Sequence, residues 1–208
     1  MGGLKAALFS GGKDSVYAAL LEWPVDVFIT FMYDFPRPSP HLLNISKVIE
    51  LGGAMSVPIV VFRTHKGMEI VEEARLMRML DVGYIVAGDQ NVEDHLKYME
   101  KLAGMSGAIL KEPLWGADPW KILEEELGLL SFIIIGAKKS FSQLTCMNVN
   151  KKLKDIIIEK INQLNVDPLG EAGEYHSLVT GIYSLNVNVK MKCKEIRTYD
   201  DYTIALIE

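Results

Sequence analysis

Cysteine is scarce in this sequence: only two of its 208 residues, Cys146 and Cys193, are of this type. They do not form a C-x-x-C pair, and this excludes both a framework of several disulfides and a four-cysteine zinc site. We expect both residues to be structural. The low cysteine content favours a reducing, cytoplasmic setting.

Long apolar runs are also lacking. The longest covers residues 129–137 and is interrupted by a serine and a glycine, whereas a membrane-spanning helix needs about 20 apolar residues. Near the N-terminus, residues 6–9 form too short an apolar stretch for a signal-peptide core. The sequence therefore predicts no transmembrane helix and no membrane partner.

A net positive charge is absent as well, because 22 Lys and Arg stand against 27 Asp and Glu, which leaves −5. Proteins that hold nucleic acid through its phosphates are usually basic, so this balance disfavours nucleic acid as a partner. Apolar residues make up 49% of the chain and charged residues 24%. These fractions are typical of a globular protein and argue against a disordered or fibrous one.

Short apolar runs alternate with helical patterns through the first half of the sequence. Strands are predicted at residues 5–9, 27–32, 59–63, 84–87 and 108–111, and helices at 14–23, 41–51, 67–80 and 93–103. Runs that are apolar on both faces fit a parallel sheet covered by helices. The alternation predicts an α/β fold with a doubly wound, mostly parallel, Rossmann-like sheet.

The second half follows a different pattern. Residues 111–120 contain two prolines and a glycine and are typical of a connection between domains. Beyond this connection, helices are predicted near 119–127 and 151–162, a strand at 132–137, and β-like runs near 185–193 and 202–207. We therefore predict a first domain at residues 1–120 and a smaller α+β C-terminal domain at residues 121–208.

The first predicted strand runs directly into the segment S-G-G-K-D-S, residues 10–15, and then into a helix. Gly11 and Gly12 allow the backbone to approach an anion closely. The N–H groups at the start of a helix have no intrahelical acceptor and favour negative charge. Lys13 adds a full positive charge. The segment therefore has the chemistry of a phosphate-binding loop.

The remaining polar residues of the loop fit the same function. Ser10 and Ser15 supply hydroxyl donors, and the carboxylate of Asp14 can lie beside phosphates if Mg²⁺ stands between them. We expect the loop to face solvent until a ligand binds. Lys13→Ala and Asp14→Ala are then expected to remove catalysis and leave the fold intact.

The spacing is not that of a Walker A loop, because Asp14 follows Lys13 where Ser or Thr is required. The hexapeptide instead resembles the PP-loop of the ATP pyrophosphatases, which cleave ATP between its α and β phosphates. The resemblance implies that residues 10–15 bind ATP, that Asp14 holds Mg²⁺, and that residues 1–120 form a nucleotide-binding domain of the PP-loop ATPase type.

A second polar cluster lies near the C-terminus. It comprises Gly170, Glu171, Gly173, Glu174, Tyr175 and His176. Clustered glutamate and histidine side chains can bind a cation or an amine, or transfer protons. On chemistry alone, a solvated acidic turn before a strand explains the stretch equally well.

This stretch resembles the G-E-x-G-E-[FY]-x-[ST] motif of the diphthine–ammonia ligase family, whose members are N-type ATP pyrophosphatases. The chain is also similar to that family at Gly88 and Asp89, at the turn P-L-W-G of residues 113–116 with Asp118 after it, and at His41. Members use ATP and ammonium to amidate diphthine, a modified histidine of translation elongation factor 2.

The resemblance implies roles for individual residues. Catalysis would involve Lys13, Asp14, Glu171, Glu174 and His176. Substrate binding would involve His41, Gly88, Asp89, Asp118, Gly170, Gly173 and Tyr175. The implied cofactors are ATP and Mg²⁺, and the implied partners are ATP, ammonium and elongation factor 2 as protein substrate. A homo-oligomer is compatible with this interpretation.

Two segments, residues 94–100 and 138–146, depart from the family pattern. In the first, Tyr98 stands where the family has an arginine. In the second, the family's G-L-D stretch is replaced. These departures leave the acceptor open. The alternatives are a PP-loop adenylating enzyme that acts on tRNA or a small molecule, and a nucleotide-binding module without turnover.

Overall fold

The computed structural model describes residues 2–33 and 38–208. This part of the chain folds into two compact units that are each discontinuous in sequence. Unit 1 contains residues 2–10, 14–33 and 56–116, and unit 2 contains residues 11–13, 38–55 and 117–208. The sequence-based domain boundary after residue 120 stays a prediction.

The strands and helices alternate along the described residues. The strands are β1 Leu4–Leu8, β2 Val27–Met32, β3 Ile59–Arg63, β4 Val82–Val86, β5 Ile109–Lys111, β6 Leu130–Lys138, β7 Asn148–Val149, β8 Tyr175–Ile182, β9 Val187–Asn188, β10 Cys193–Tyr199 and β11 Tyr202–Ile207. The α-helices are α1 Lys13–Leu21, α2 Pro40–Leu43, α3 Ile45–Ala54, α4 Glu69–Met79, α5 Glu93–Ser106, α6 Pro119–Leu129 and α7 Lys154–Leu164. A 3₁₀ helix covers Lys139–Leu144.

Unit 1 is built on a five-stranded sheet in the order β3-β2-β1-β4-β5, and every pairing in it is parallel. Its core includes Val27 and Ile29 of β2 together with Ala74 and Met77 of α4. The strand order reverses between β1 and β4, and ligands of open α/β sheets bind at the carboxyl ends of strands at such a point. The predicted Rossmann-like α/β fold is confirmed.

Unit 2 contains a second sheet in the order β10-β11-β6-β8-β9, with β7 paired to β6. All of its pairings are antiparallel. The central strand β6 is almost entirely buried, and its neighbour β8 begins in the glycine-rich C-terminal stretch. The prediction of a second, α+β domain in addition to the parallel sheet is confirmed, but unit 2 is not the smaller of the two units.

The helix predicted at residues 41–51 is instead two helices, α2 and α3, which meet at Asn44. Asn44 is buried, and its side chain donates to the carbonyls of Pro40 and Ala205, each at 2.8 Å. Its Oδ1 accepts the N–H of Ile207, also at 2.8 Å. The helix breaks because this side-chain amide binds the backbone of β11. Local sequence patterns do not predict a partner so distant in the sequence.

The two cysteines are joined in a disulfide, Cys146–Cys193, with their Cα atoms 5.6 Å apart. The sequence analysis expected both cysteines to be structural and made no prediction that they pair with each other. The β-like run predicted near 185–193 contains β9, Val187–Asn188, and ends at Cys193, where β10 begins. The disulfide therefore ties the start of β10 to the turn that follows the 3₁₀ helix.

No helix among the described residues has the length and apolar character needed to cross a membrane.

Candidate functional site

Gly11 is held against strand β8 in unit 2. Its carbonyl accepts the N–H of Val179 at 2.8 Å, and its φ is +76°. A side chain there would place a Cβ only 2.9 Å from Leu178 Cδ1. The positive φ therefore favours glycine at this position, and a Cβ would also require the end of the Leu178 side chain to shift.

Lys13 is almost completely buried, with 1% of its surface exposed. Its Nζ lies 3.1 Å from Oε2 of Glu126, whose side chain is 0% exposed, and 5.7 Å from the centre of the Tyr175 ring. Its backbone N–H donates to Ser177 Oγ at 3.0 Å. The expectation that Lys13 faces solvent is wrong, because a carboxylate from α6 offsets its charge in the interior.

The flanking residues of the loop belong to unit 1. The hydroxyls of Ser10 and Ser15 lie 3.1 Å apart, and the half-buried Asp14 stands in the first turn of α1. A Cβ on Gly88 would lie 2.9 Å from the carbonyl oxygen of Asp14. The start of α1 packs directly against Gly88, which follows β4. This close packing explains why the residue there is a glycine.

A polar cluster stands at the carboxyl ends of β4 and β5. Asp89 Oδ1 and His95 Nδ1 are 3.0 Å apart. Burial, with the nearby charge of Asp89, raises the pKa of the Glu112 carboxyl to about 8. The sequence analysis named Asp89 but missed His95 and Glu112. The position of Glu112 directly after a buried strand was the available signal.

The C-terminal glycine-rich loop is organised by Asp167. Its Oδ1 accepts the N–H groups of Leu169 at 2.8 Å, Gly170 at 2.9 Å and Glu171 at 3.3 Å. Gly170 and Gly173 both have a φ of +78°. Asp167 was missed by the sequence analysis, although an aspartate before Pro and Gly is a known turn signal.

Glu174 and Tyr175 carry buried polar side chains in this loop. Glu174 Oε1 lies 3.6 Å from Lys138 Nζ, which also donates to the Ala172 carbonyl at 2.8 Å. Glu174 Oε2 is buried and makes no hydrogen bond within the described residues. The Tyr175 hydroxyl donates to the Pro168 carbonyl at 2.6 Å. Glu171, by contrast, is half-buried at the turn.

Unit 2 also brings His41 and His176 together, with their ring centres 5.5 Å apart and the rings edge to face. The ring centre of Tyr202 lies 6.1 Å from that of His176, and the two ring planes make an angle of 63°. Burial raises the pKa of Tyr202 above its ordinary value. The sequence analysis named both histidines separately, and only the fold shows that they share one place with Tyr202.

Comparison with known families identifies the N-terminal part of the chain. The model of the diphthamide synthase N-terminal domain matches residues 3–110. This chain belongs to the diphthamide synthase family. Membership in this PP-loop family indicates an ATP-using, adenylating enzyme.

The other comparisons add little about the chemistry of this diphthamide synthase family member. No curated protein sequence matches it. Among solved structures it is similar to a predicted subunit of a tRNA methyltransferase from Methanocaldococcus jannaschii, with 12% sequence identity and a TM-score of 0.46. That similarity covers 88% of this chain and 98% of the other.

Asp118 has a structural role in this family member. Its Oδ1 accepts the N–H groups of Trp120 at 2.8 Å and Lys121 at 3.1 Å, which caps the start of α6. Such a cap satisfies donors that the helix itself leaves without acceptors. The substrate-binding role predicted for Asp118 stays a prediction.

The residues available for Mg²⁺ fit an ion that is bound mainly by the phosphates of the substrate. Within residues 2–33 and 38–208, no three His, Cys, Asp or Glu side chains are grouped as a metal site. Mg²⁺ is commonly bound through one or two carboxylates together with substrate phosphates. A single half-buried carboxylate on the loop, Asp14, suits that arrangement.

Proposed function

We propose that this chain is an ATP-dependent amide-forming ligase that adenylates an acceptor carboxylate and transfers ammonia to it, with diphthine on elongation factor 2 as the acceptor. The supporting observation is the S-G-G-K-D-S loop between β1 and α1 of a parallel sheet whose residues 3–110 match the diphthamide synthase N-terminal domain. The loop follows the strand beside the sheet's reversal point, where ligands bind.

In the first half-reaction, a carboxylate oxygen of the acceptor attacks the α phosphorus of ATP. The bond to the bridging oxygen breaks, and pyrophosphate leaves with that electron pair. The hydroxyls of Ser10 and Ser15 and the N–H groups at the start of α1 would hold the phosphates by hydrogen bonds. Asp14 would hold Mg²⁺, which neutralises charge on the phosphates and the leaving group.

In the second half-reaction, ammonia attacks the acyl carbon of the adenylate. The bond between that carbon and the AMP oxygen breaks, AMP leaves with the electron pair, and the attacking nitrogen releases one proton to water. Ammonia must first form from ammonium by loss of a proton. The carboxylate of Glu174, which is 8% exposed, would attract and orient the ammonium ion. Glu171 would add negative charge at the same turn, and His176 would accept the proton.

The test is a reaction that contains the protein, ATP, Mg²⁺, ammonium and elongation factor 2 carrying diphthine. We expect AMP and pyrophosphate on chromatography and a protein product in which the carboxylate has become an amide. ADP and phosphate as products would contradict the proposed adenylation. Retention of ATP without any product would identify a nucleotide-binding module instead. If turnover occurs only when tRNA or a small carboxylate replaces elongation factor 2, the acceptor is that molecule and not diphthine.

A further inference from the structure

One buried ion pair of unit 2 joins the loop lysine to a helix that has no assigned role. Lys13 Nζ and Glu126 Oε2 are 3.1 Å apart, and the two side chains are 1% and 0% exposed. Glu126 occupies the inner face of α6, where the other buried residues are Ile122, Leu123 and Leu127. A glutamate thus stands at a position that an apolar side chain would fill at lower cost in desolvation.

We propose that the carboxylate of Glu126 occupies the anion position beside Lys13 that a phosphate of ATP must take over. We call this ion pair a latch, because it holds Lys13 until ATP displaces the carboxylate. The proposal rests on the proposed function, because it assumes that ATP binds at residues 10–15. Carboxylate and phosphate oxygens both accept charge-assisted hydrogen bonds from an ammonium group. The single positive charge of Lys13 cannot neutralise two anions at a buried place, so the Glu126 carboxylate and an incoming phosphate compete for it.

The two partners of the latch differ in how easily they can move. Glu126 lies within the regular helix α6, between buried neighbours and behind the Asp118 cap. Lys13 follows two consecutive glycines at the first position of α1. The backbone of the loop is held by its hydrogen bonds to Val179 and Ser177, so the Lys13 ammonium leaves the pair by rotation of its long side chain while Glu126 stays in place. Glu126 therefore acts through Lys13 as a positioning residue that lowers the affinity for ATP.

The decisive measurement is the dissociation constant of ATP in the presence of Mg²⁺, determined by titration calorimetry without acceptor. The Glu126→Gln variant keeps the shape of the side chain and removes its charge. We expect it to bind ATP at least about tenfold more tightly than the unchanged chain, which corresponds to about 1.4 kcal/mol. Glu124→Gln is the matched control, since it makes the same charge change on an exposed side chain of α6.

A merely structural ion pair gives a different pattern. Glu126→Gln would then lower thermal stability without tightening ATP binding, and equal or weaker binding overturns the latch. The gain must also disappear when Lys13→Gln is combined with Glu126→Gln, because the latch acts only through that lysine. If Glu126→Gln does not fold, Glu126→Asp takes its place. Its shorter side chain lengthens the pair, and tighter binding is again expected.

The outcomes separate the latch from the proposed function. If the unchanged chain binds ATP and every Glu126 variant binds it equally well, the latch is wrong and the proposed function stands. If neither the unchanged chain nor any variant binds ATP, both are wrong. Binding by Glu126→Gln alone supports both, since the latch would then hold the unchanged loop in its ATP-free state.

Discussion

The two units treat their buried carboxylates differently. In unit 2, Glu126 and Glu174 each face a lysine, at 3.1 Å and 3.6 Å. In unit 1, Glu73 is 0% exposed and accepts hydrogen bonds from the hydroxyls of Tyr33 at 2.7 Å and Tyr98 at 3.0 Å. Burial raises the pKa of Glu73 despite those two donors.

The difference indicates that buried carboxyl groups have different roles in the two units. A carboxylate that faces a lysine has a countercharge beside it, and a negative charge at such a place can attract ammonium or compete with phosphate. A carboxyl that is buried beside neutral hydroxyls, such as Glu73, has a raised pKa because burial disfavours its charged form. Unit 2 therefore presents charges near the two glycine-rich loops, whereas the acids of unit 1 couple its stability to pH.

The largest expected effect is on stability, from Lys13→Ala. This variant leaves Glu126 buried without its cation, which should lower the free energy of unfolding by about 3–5 kcal/mol. Denaturant unfolding followed by circular dichroism measures the change. Lys97→Ala serves as the control, because its pair with Glu93 is exposed and should contribute less than about 1 kcal/mol.

Replacing both partners of that ion pair sharpens the result. The combined Lys13→Met and Glu126→Met variant removes both buried charges, and most of the lost stability should return. A Lys13→Ala variant as stable as the unchanged chain would show that the ion pair contributes nothing. Unit 2 would then lose the feature that distinguishes it from unit 1.

The next effect concerns catalysis. Glu174→Gln retains size and hydrogen bonding but removes the charge, so amide product should fall by roughly 100-fold, the scale of one lost proton-transfer or positioning group. ATP binding and exchange of labelled pyrophosphate into ATP should persist, as both depend on residues 10–15. Loss of ATP binding in this variant, or an unchanged product yield, would contradict the assignment. Glu124→Gln again provides the exposed control.

A smaller effect is the pH dependence of stability due to Glu112. Its pKa rises from 4.5 to about 8 in the fold. The folded chain then binds more protons than the unfolded chain, so stability falls as pH rises from about 4.5 through about 8. After screening by solvent, we expect a contribution of at most about 2 kcal/mol.

Glu112→Gln should flatten this part of the profile, measured as unfolding midpoints in urea across the same pH range. Glu93→Gln, with a largely exposed side chain, should leave the slope unchanged. A slope that persists in Glu112→Gln would assign the protons to another group, of which Glu73 is the first candidate because its pKa is also raised.

The smallest effect is expected for Tyr98→Phe, which removes one of the two hydroxyl donors to Glu73. The loss of one such hydrogen bond should cost about 1 kcal/mol of stability. Urea unfolding at neutral pH provides the measurement, and Tyr183→Phe, at an exposed position, provides the control. If Tyr98→Phe lowered the free energy of unfolding as much as Lys13→Ala does, neutral hydrogen-bond donors would stabilise a buried carboxyl group as much as a countercharge.

Much of unit 1 follows from local patterns in the sequence. The strands predicted at 27–32 and 59–63 coincide with β2 and β3, because apolar runs of that length bounded by turns have few alternatives. The parallel sheet follows from the alternation of strands and helices. The two glycine-rich loops were likewise recognised from their residues, as their backbone requirements are local.

The sequence by itself determined the α/β class, the loop at residues 10–15 and the family. Only the tertiary structure decided that Lys13 is buried against Glu126, that Asn44 breaks a helix to bind β11, and that His41 meets His176. Each of these depends on partners far apart in the chain. Helix periodicity and turn preferences are set by near neighbours, whereas the burial of a charge depends on which distant group the fold places beside it.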